Sequence, residues 1–168
     1  MKDLGTGPSR EKDLQFNLYI DGASKGNPGM AAAGVWLTNH EGKELLGISR
    51  YLGHKTNNEA EYWALLIGLR EAKRWGMGSI HIFTDSELVA RQVEGIYRVK
   101  DLNLKGLHQE VMEDLKAFSS FEIESIPREE NREADRLANE AIRRKTASET
   151  RKEGSRRRPG GRSSSRPA

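Results

Sequence analysis

The stretch LYIDGASKGNPG, residues 18–29, leads from alternating apolar residues to an aspartate and then to glycine, serine, asparagine and proline. The alternation over residues 16–20 is typical of a half-buried β-strand, and the residues after Asp21 are typical of a loop. An aspartate just past a strand is commonly a turn-former, because its carboxylate accepts hydrogen bonds from nearby backbone N–H groups. It can also be a functional acid, and the remaining sequence has to distinguish the two.

Strand-like and helix-like segments alternate along the rest of the chain. The turn NHEG, residues 39–42, lies between two apolar segments and predicts a hairpin, so the first three strands form an antiparallel meander. TNN at 56–58 is a good N-cap cluster for a long helix. The order β-β-β-α-β-α-α-β-α predicts an α/β fold with a mixed sheet. The segments that carry this prediction are FNLYI, AAAGVWLT, KELLGISRYL, EAEYWALLIGLREAKRW, SIHIFTDS, ELVARQVEGI, NLKGLHQEVMEDLKAF, FEIESI and NREADRLANEAIRR.

Charge divides the 168 residues into a mildly acidic part and a basic end. Residues 143–168 contain ten Lys or Arg and two Glu, whereas the net charge of +3 for the whole chain leaves −5 on residues 1–142. Because the basic end has almost no large apolar residues, it cannot offset the entropy of ordering itself. We therefore expect a flexible segment over 1–14, one folded domain over 15–142 and a disordered Arg/Ser/Gly-rich tail over 143–168.

The composition also excludes several classes of protein. The sequence has no cysteine, which excludes a disulfide scaffold and a thiolate metal site. It has no stretch of about 20 apolar residues that could cross a membrane, and its first residues lack the apolar core of a signal peptide. We expect a cytoplasmic protein without a membrane partner.

Two aspartates follow strands that the topology can place side by side. The helix between the first and the fourth strand permits a right-handed crossover, which lays SIHIFTD parallel to LYID. Asp21 and Asp85 would then meet at the carboxyl ends of these strands, where open α/β sheets bind ligands. Two close carboxylates repel each other unless a cation lies between them. This arrangement therefore favours a metal site.

Further acids flank the apolar faces of two predicted helices. Glu59, at the start of the first helix, suits the helix dipole and needs no other function. Glu61 lies just off the apolar stripe of the same helix, and Asp135 lies one position from the apolar face of the last helix. Each alone is typical of a solvated boundary residue.

Four segments taken together resemble the type I ribonuclease H family. They are DGASKGNPG, TNNEAEY, TDSELV and ENREADRLAN, and the resemblance covers residues 16–142. It implies a ribonuclease H-like fold, an α/β fold whose five-stranded mixed sheet combines an antiparallel meander with parallel strands and is flanked by helices. It also implies endonucleolytic hydrolysis of the RNA strand of RNA/DNA hybrids, with 5′-phosphate and 3′-hydroxyl products.

The resemblance assigns catalytic residues, cofactors and partners. The family's glutamate follows the Asn pair by three positions, which selects Glu61 over Glu59. Mg²⁺ or Mn²⁺ is the implied cofactor, with two ions per site when substrate is bound. We also expect the basic tail to contact nucleic-acid phosphates and the protein to be a monomer. The implied catalytic and metal-binding acids are Asp21, Glu61, Asp85 and Asp135, and the implied substrate-binding residues are Gly22, Ala23, Asn27, Thr56, Asn57, Asn58, Arg128 and Asn131.

Two features of the family pattern are missing from the sequence. Longer members have a histidine in the loop before the last aspartate, where this chain has IPREENREAD and offers Arg128 or Glu130 instead. The Lys-rich, Trp-containing protrusion of longer members is also missing, so the match is to the shorter branch found in archaea and some bacteria. Two alternatives stay open: a catalytically weak module that binds hybrid or double-stranded RNA, and an enzyme that cleaves double-stranded RNA or a DNA junction.

Overall fold

A five-stranded mixed sheet and four helices make up the computed structural model, which describes residues 14–76 and 78–157. A short 3₁₀ turn at Arg128–Glu130 follows the last strand. The strands are β1 Gln15–Gly26, β2 Gly29–Asn39, β3 Glu44–Lys55, β4 Ser79–Thr84 and β5 Ser120–Ser125, and the helices are α1 Asn57–Lys73, α2 Glu87–Glu94, α3 Leu102–Leu115 and α4 Arg132–Arg157.

The strand order in the sheet is β3-β2-β1-β4-β5. β1 pairs with β2 and β2 with β3 in antiparallel fashion, whereas β4 pairs with β1 and with β5 in parallel. The predicted α/β fold, with its meander and its parallel strands, is therefore confirmed. Because the chain crosses from β3 to β4 through α1, the ends of β1 and β4 lie together at one edge.

β1 is longer than predicted. It continues past Asp21 to Gly26 and pairs with β2 from Phe16 to Gly26, so the expectation of a loop after Asp21 is wrong. The ladder with β2 satisfies the backbone of this Gly- and Ser-rich segment, which has no apolar pattern to indicate a strand. The parallel pairing with β4, in contrast, stops at Ile20 and Thr84. Asp21 thus lies inside a strand, just where its parallel neighbour ends.

The helices cover the two faces of the sheet. α1 packs on the face that carries the fully buried Leu18 and Ile20, and the main core lies between this face and the helices α1, α2 and α3. α4 packs across β2 and β3 on the opposite face. None of the helices within residues 14–76 and 78–157 is long and apolar enough to cross a membrane.

One glycine on each face of the sheet lets a helix approach the strands closely. A Cβ on Gly22 would overlap the backbone of Ala60 and Glu61 in α1, and a Cβ on Gly34 would overlap the backbone of Ala134 and Ala138 in α4. A side chain at either position would force the helix away from the sheet. Gly22 and Gly34 therefore fix how near α1 and α4 come to the strands.

α4 extends well beyond its predicted end. Residues 143–157 continue the helix, so the prediction of a disordered tail is wrong for this segment; residues 158–168 and 1–13 lie outside the described residues. Arg, Lys, Glu and Ala are good helix formers, and the ion pair between Lys145 and Glu149 adds support at i,i+4 spacing. Arg144 donates to Ser49 O at 3.1 Å, and the ammonium of Lys145 lies 5.2 Å from the ring of Tyr51. These contacts hold the first turn of the extension against β3.

Leu14 was expected to belong to a flexible N-terminal segment. Its carbonyl accepts a hydrogen bond of 2.8 Å from Ser79 N–H, which continues the pairing of β1 with β4 by one residue. That bond joins Leu14 to the folded domain.

Candidate active site

A cleft of about 580 Å³ opens at the edge where β1 and β4 end. Its walls come from β1, the start of α1, the turn between β4 and α2, the loop after β5 and the first turns of α4. The lining residues are Asp21, Gly22, Ala23, Ser24, Asn57, Asn58, Glu61, Asp85, Ser86, Ile126, Pro127, Arg128, Asp135 and Asn139.

Three acids from three different elements converge in this cleft. Asp21 of β1, Glu61 of α1 and Asp85, directly after β4, each offer a carboxylate oxygen, and these atoms all lie within 4.8 Å of one another. Asp21 is 5% exposed and Glu61 is 6% exposed, whereas Asp85 is half-buried. Buried carboxylates this close are costly unless a cation or protons neutralise them.

Glu61 is held through both of its carboxylate oxygens. Gly22 N–H donates to Oε1 at 2.8 Å, and the hydroxyl of Thr84 donates to Oε2 at 3.3 Å. Glu59, two positions earlier, forms a capping box with Thr56 instead and is not part of the cluster of three acids. Glu59 and Glu61 of the segment TNNEAEY therefore have separate roles, because their positions on the helix direct their side chains toward different neighbours.

The electrostatics of the cluster disfavour its full ionisation in the absence of a cation. Burial, together with repulsion from Glu61 and Asp85, raises the pKa of Asp21 to about 10. Burial raises the pKa of Glu61 to about 7, against the opposing effect of the hydrogen bond from Gly22 N–H. Burial also raises the pKa of Asp85, and the opposing charge of Arg128 limits this shift.

The donor set fits a hard divalent cation. All three ligand groups are carboxylates, and oxygen is the donor that Mg²⁺ and Mn²⁺ prefer. Three carboxylates this close need a compensating positive charge, and the cleft leaves room for the waters that Mg²⁺ retains. Asp21, Glu61 and Asp85 are therefore the residues that would hold the ion.

Asp135 lines the same cleft from the first turn of α4, outside the cluster of three acids. Its Oδ1 accepts from Arg128 Nη2 at 3.3 Å and from Asn139 Nδ2 at 3.1 Å. The structure thus brings all four sequence-predicted acids to one cleft, three of them in close mutual contact. The fourth faces Arg128, which is largely exposed.

The predicted substrate-binding residues fall into two groups. Gly22, Ala23, Asn57, Asn58 and Arg128 line the cleft. Two others support its rim: the Asn27 side chain accepts from Asn57 N–H at 3.0 Å, and the Thr56 hydroxyl caps α1. The hairpin between β1 and β2 is in this way joined to the start of α1.

Asn131 is not placed to contact a substrate. Its side chain is 1% exposed, and Nδ2 donates to Ile20 O at 2.9 Å. Its Oδ1 is buried without a hydrogen-bond partner among the described residues. The structure therefore contradicts the expectation of a substrate contact and shows a strut, because the hydrogen bond to Ile20 O joins the start of α4 to β1.

Sequence reasoning missed several residues of the site, among them Asn139 and Thr84. Asn139 lies four positions after Asp135, so helical spacing could have indicated that it lines the same cleft. Thr84 directly precedes Asp85 and is completely buried, but a threonine at the end of an apolar strand is too common to single out.

Comparison with known proteins is consistent with this geometry. A family described as reverse transcriptase-like matches residues 19–141. Ribonuclease HI of Halobacterium salinarum is 40% identical over 128 residues, which are 76% of this chain and 64% of that protein. The bifunctional protein Rv2228c of Mycobacterium tuberculosis is 38% identical over 131 residues, which are 77% of this chain and 36% of that protein.

A solved structure extends the likeness to three dimensions. LC11-RNase H1, determined in complex with RNA/DNA hybrid, is 36% identical with a TM-score of 0.75, and the match covers 78% of this chain and 99% of that one. The chain spans between about a third and two thirds of the length of the two curated relatives.

Proposed function

Because the chain belongs to the ribonuclease H family, we propose that it is an endonuclease that hydrolyses the RNA strand of RNA/DNA hybrids. The observation that carries the proposal is the cluster of Asp21, Glu61 and Asp85, with carboxylate oxygens within 4.8 Å of one another at an open cleft. Asp135 lines the same cleft from the first turn of α4. The hybrid bound to LC11-RNase H1 supports the choice of substrate.

The chemistry requires divalent cations, and this chain supplies their ligands. Two Mg²⁺ or Mn²⁺ ions, when bound, would activate a water and stabilise the leaving 3′ oxygen, which gives 5′-phosphate and 3′-hydroxyl ends. Asp21, Glu61 and Asp85 would hold the ions, with Asp135 as the fourth acid. The hydrogen bonds from Gly22 and Thr84 keep Glu61 oriented and leave its remaining lone pairs free for a metal.

Selection of RNA over DNA would rest on the polar rim of the cleft. RNA is distinguished from DNA through its 2′-hydroxyls, which duplexes display in the wide minor groove. Asn57 and Asn58, at the start of α1, and the backbone around Gly22 and Ala23 line the cleft and offer donors and acceptors for these hydroxyls. Arg128 would contact a phosphate beside Asp135, in the place where longer members have a histidine.

The basic end of α4 would add affinity for nucleic acid that does not depend on the base sequence. Residues 143–157, here called the basic arm, contain seven Lys or Arg and two Glu. The helix rises about 1.5 Å per residue, so Arg157 lies roughly 33 Å along the axis from Asp135. Cations that neutralise phosphates release counterions, and this term strengthens binding most at low salt.

A cleavage assay on matched duplexes tests the proposal. The full chain is incubated with RNA/DNA hybrid, double-stranded RNA and double-stranded DNA of one sequence, in Mg²⁺, in Mn²⁺ and in EDTA. We expect hybrid cleavage that depends on the divalent ion, and mass spectrometry of the fragments should show 5′-phosphates and 3′-hydroxyls. Hybrid that stays intact in both ions, or duplex DNA that is cut equally well, would contradict the proposal.

A further inference from the structure

Thr84 is the last residue of β4, and its side chain is fully buried. Its hydroxyl oxygen lies 3.0 Å from Ser86 N and 3.3 Å from Glu61 Oε2. The backbone N–H of Ser86 can only donate, and an ionised carboxylate such as that of Glu61 can only accept. The proton of Thr84 therefore points to Glu61, so the direction of both hydrogen bonds is fixed.

These two hydrogen bonds fix the residues on either side of Asp85. Asp85 lies between Thr84 and Ser86 in the chain, and Ser86 is the N-cap of α2, where its hydroxyl accepts from Val89 N–H at 3.2 Å. One hydroxyl group thus joins Glu61 on α1 to the turn that carries Asp85. The other oxygen of Glu61 is held by Gly22 N–H, a backbone group that no side-chain substitution removes.

On the basis of the proposed function, we propose that Thr84 is a positioning residue that fixes Glu61 relative to Asp85 and thereby sets the affinity of the site for divalent cations. Thr84 does not contact the substrate, because its side chain is buried beneath the cleft. Partners that orient metal ligands commonly account for a factor of about 10 to 100 in metal affinity or activity. Loss of the hydroxyl should therefore weaken the metal site and leave the rim of the cleft unchanged.

Three variants of the full chain test this role. Thr84→Val keeps the shape and removes the hydroxyl, whereas Thr84→Ser keeps the hydroxyl. Thr38→Val is the matched control, because Thr38 is equally buried but donates to Asn39 O, and it pairs with Asn17, four positions before Asp21. Calorimetric titration with Mn²⁺ in the absence of nucleic acid gives metal affinity, and steady-state cleavage of hybrid gives kcat and KM.

We expect Thr84→Val to bind Mn²⁺ about 10 to 100 times more weakly and to lose kcat at limiting metal, with KM for hybrid unchanged. Thr84→Ser and Thr38→Val should stay within about threefold of the unsubstituted chain. Equal Mn²⁺ affinity in Thr84→Val and the unsubstituted chain would overturn the proposal. An equal loss of Mn²⁺ affinity in Thr84→Ser or in Thr38→Val would also overturn it, because the hydroxyl of Thr84 would then not be the cause.

Circular dichroism checks that each variant is folded. If Thr84→Val is unfolded, Thr84→Ala replaces it with the same expectations, since it removes the hydroxyl without placing a methyl group against the carboxylate. The titration needs no nucleic acid and so separates the two proposals. Normal Mn²⁺ binding by an unsubstituted chain that fails to cleave hybrid would overturn the proposed function, and the titration of the variants would still decide the role of Thr84.

Discussion

The two ends of α4 carry charge in opposite ways. At its start, Asp135 faces a cleft in which Asp21 and Glu61 are buried and Glu61 is held by hydrogen bonds from Gly22 and Thr84. At its end, the basic arm is exposed, and beyond Lys145 its cations have no contact with the sheet among the described residues. Buried charge is expensive and has to be placed accurately, whereas exposed charge costs little and acts over a distance. We therefore expect changes at the cleft to alter kcat, and changes in the arm to alter KM and its salt dependence.

The largest effect should follow removal of a central acid. Asp21→Asn or Asp85→Asn should reduce kcat by a factor of about 10³ or more, because several kcal/mol of transition-state stabilisation is lost and each 1.36 kcal/mol is tenfold in rate. Both variants should be at least as stable as the unsubstituted chain in metal-free buffer, since each relieves repulsion between buried carboxylates. Single-turnover cleavage and thermal unfolding measure the two effects, and near-normal cleavage in Mg²⁺ would refute the metal site.

The two glutamates of α1 provide a matched pair. Glu61→Gln should lower kcat by about 100-fold or more, because it removes a metal ligand. Glu59→Gln should cost at most a few tenths of a kcal/mol in stability, because a glutamine can still accept from Thr56 N–H in the capping box. Steady-state kinetics of both variants on one hybrid substrate makes the comparison. A larger loss of kcat in Glu59→Gln than in Glu61→Gln would mean that the wrong glutamate has been assigned to the cluster.

The metal-free protein should lose stability as the pH rises. The pKa of Asp21 is raised from about 4 to about 10 in the folded state, so the folded state binds more protons than the unfolded state between these values. For the Asp21 proton alone, the free energy of unfolding should fall across this window by up to about 1.4 kcal/mol per pH unit. Urea unfolding in EDTA at pH 5 and pH 8 measures the slope.

The same experiment on Asp21→Asn is the control, and its slope should be clearly smaller. Added Mg²⁺ should stabilise the unsubstituted chain more at pH 8 than at pH 5, because the ion and protons compete for the same carboxylates. A stability that rises with pH in EDTA would contradict the raised pKa values and would mean that positive charges within the fold already compensate the acids.

The smallest effect should come from the basic arm. Replacing Arg151, Lys152, Arg156 and Arg157 with Gln keeps a good helix former at each position and removes four charges. KM for hybrid should rise several-fold at low salt and its salt dependence should flatten, by a slope of about 0.9 for each phosphate that the arm no longer neutralises. Kinetics at three salt concentrations measure this, with Lys116→Gln, just after α3, as the control. An unchanged KM and salt slope would make the arm a bystander, and a collapse of kcat would place it at the cleft.

The order of strands and helices could be predicted because apolar periodicity and turn residues mark each element. The same signals did not predict the structure of segments that are ordered by contacts with a neighbouring element and not by their own residue composition. Residues 22–26 are too rich in Gly and Ser to be recognised as a strand, yet the ladder with β2 makes them one. The basic arm has no apolar face, and its helix depends on propensity, ion pairs and the anchoring of Arg144 to Ser49.

At the cleft, the sequence predicted that Asp21 and Asp85 lie side by side, because parallel strands end at a common edge. It could not reveal the roles of Thr84 and Asn131, whose significance depends on the atoms they contact across the sheet. A buried asparagine and an exposed one look alike in a sequence. Asn131 was accordingly expected at the substrate, whereas its amide joins α4 to Ile20 O.

The contact of Gly34 with Ala134 and Ala138 has a consequence for insertions and deletions. This contact and the strut from Asn131 hold α4 in one rotational setting, and each residue added to a helix turns everything beyond it by about 100°. One residue inserted between Asn131 and Ala134 would put either the strut or the glycine contact out of phase, and with the strut kept it would swing Asp135 away from the cleft. Residues inserted between Ile126 and Arg128 would leave this interval unchanged and would displace Arg128, which lines the cleft. The four-residue interval from Asn131 to Asp135 therefore has to be kept, because it fixes the direction in which Asp135 faces.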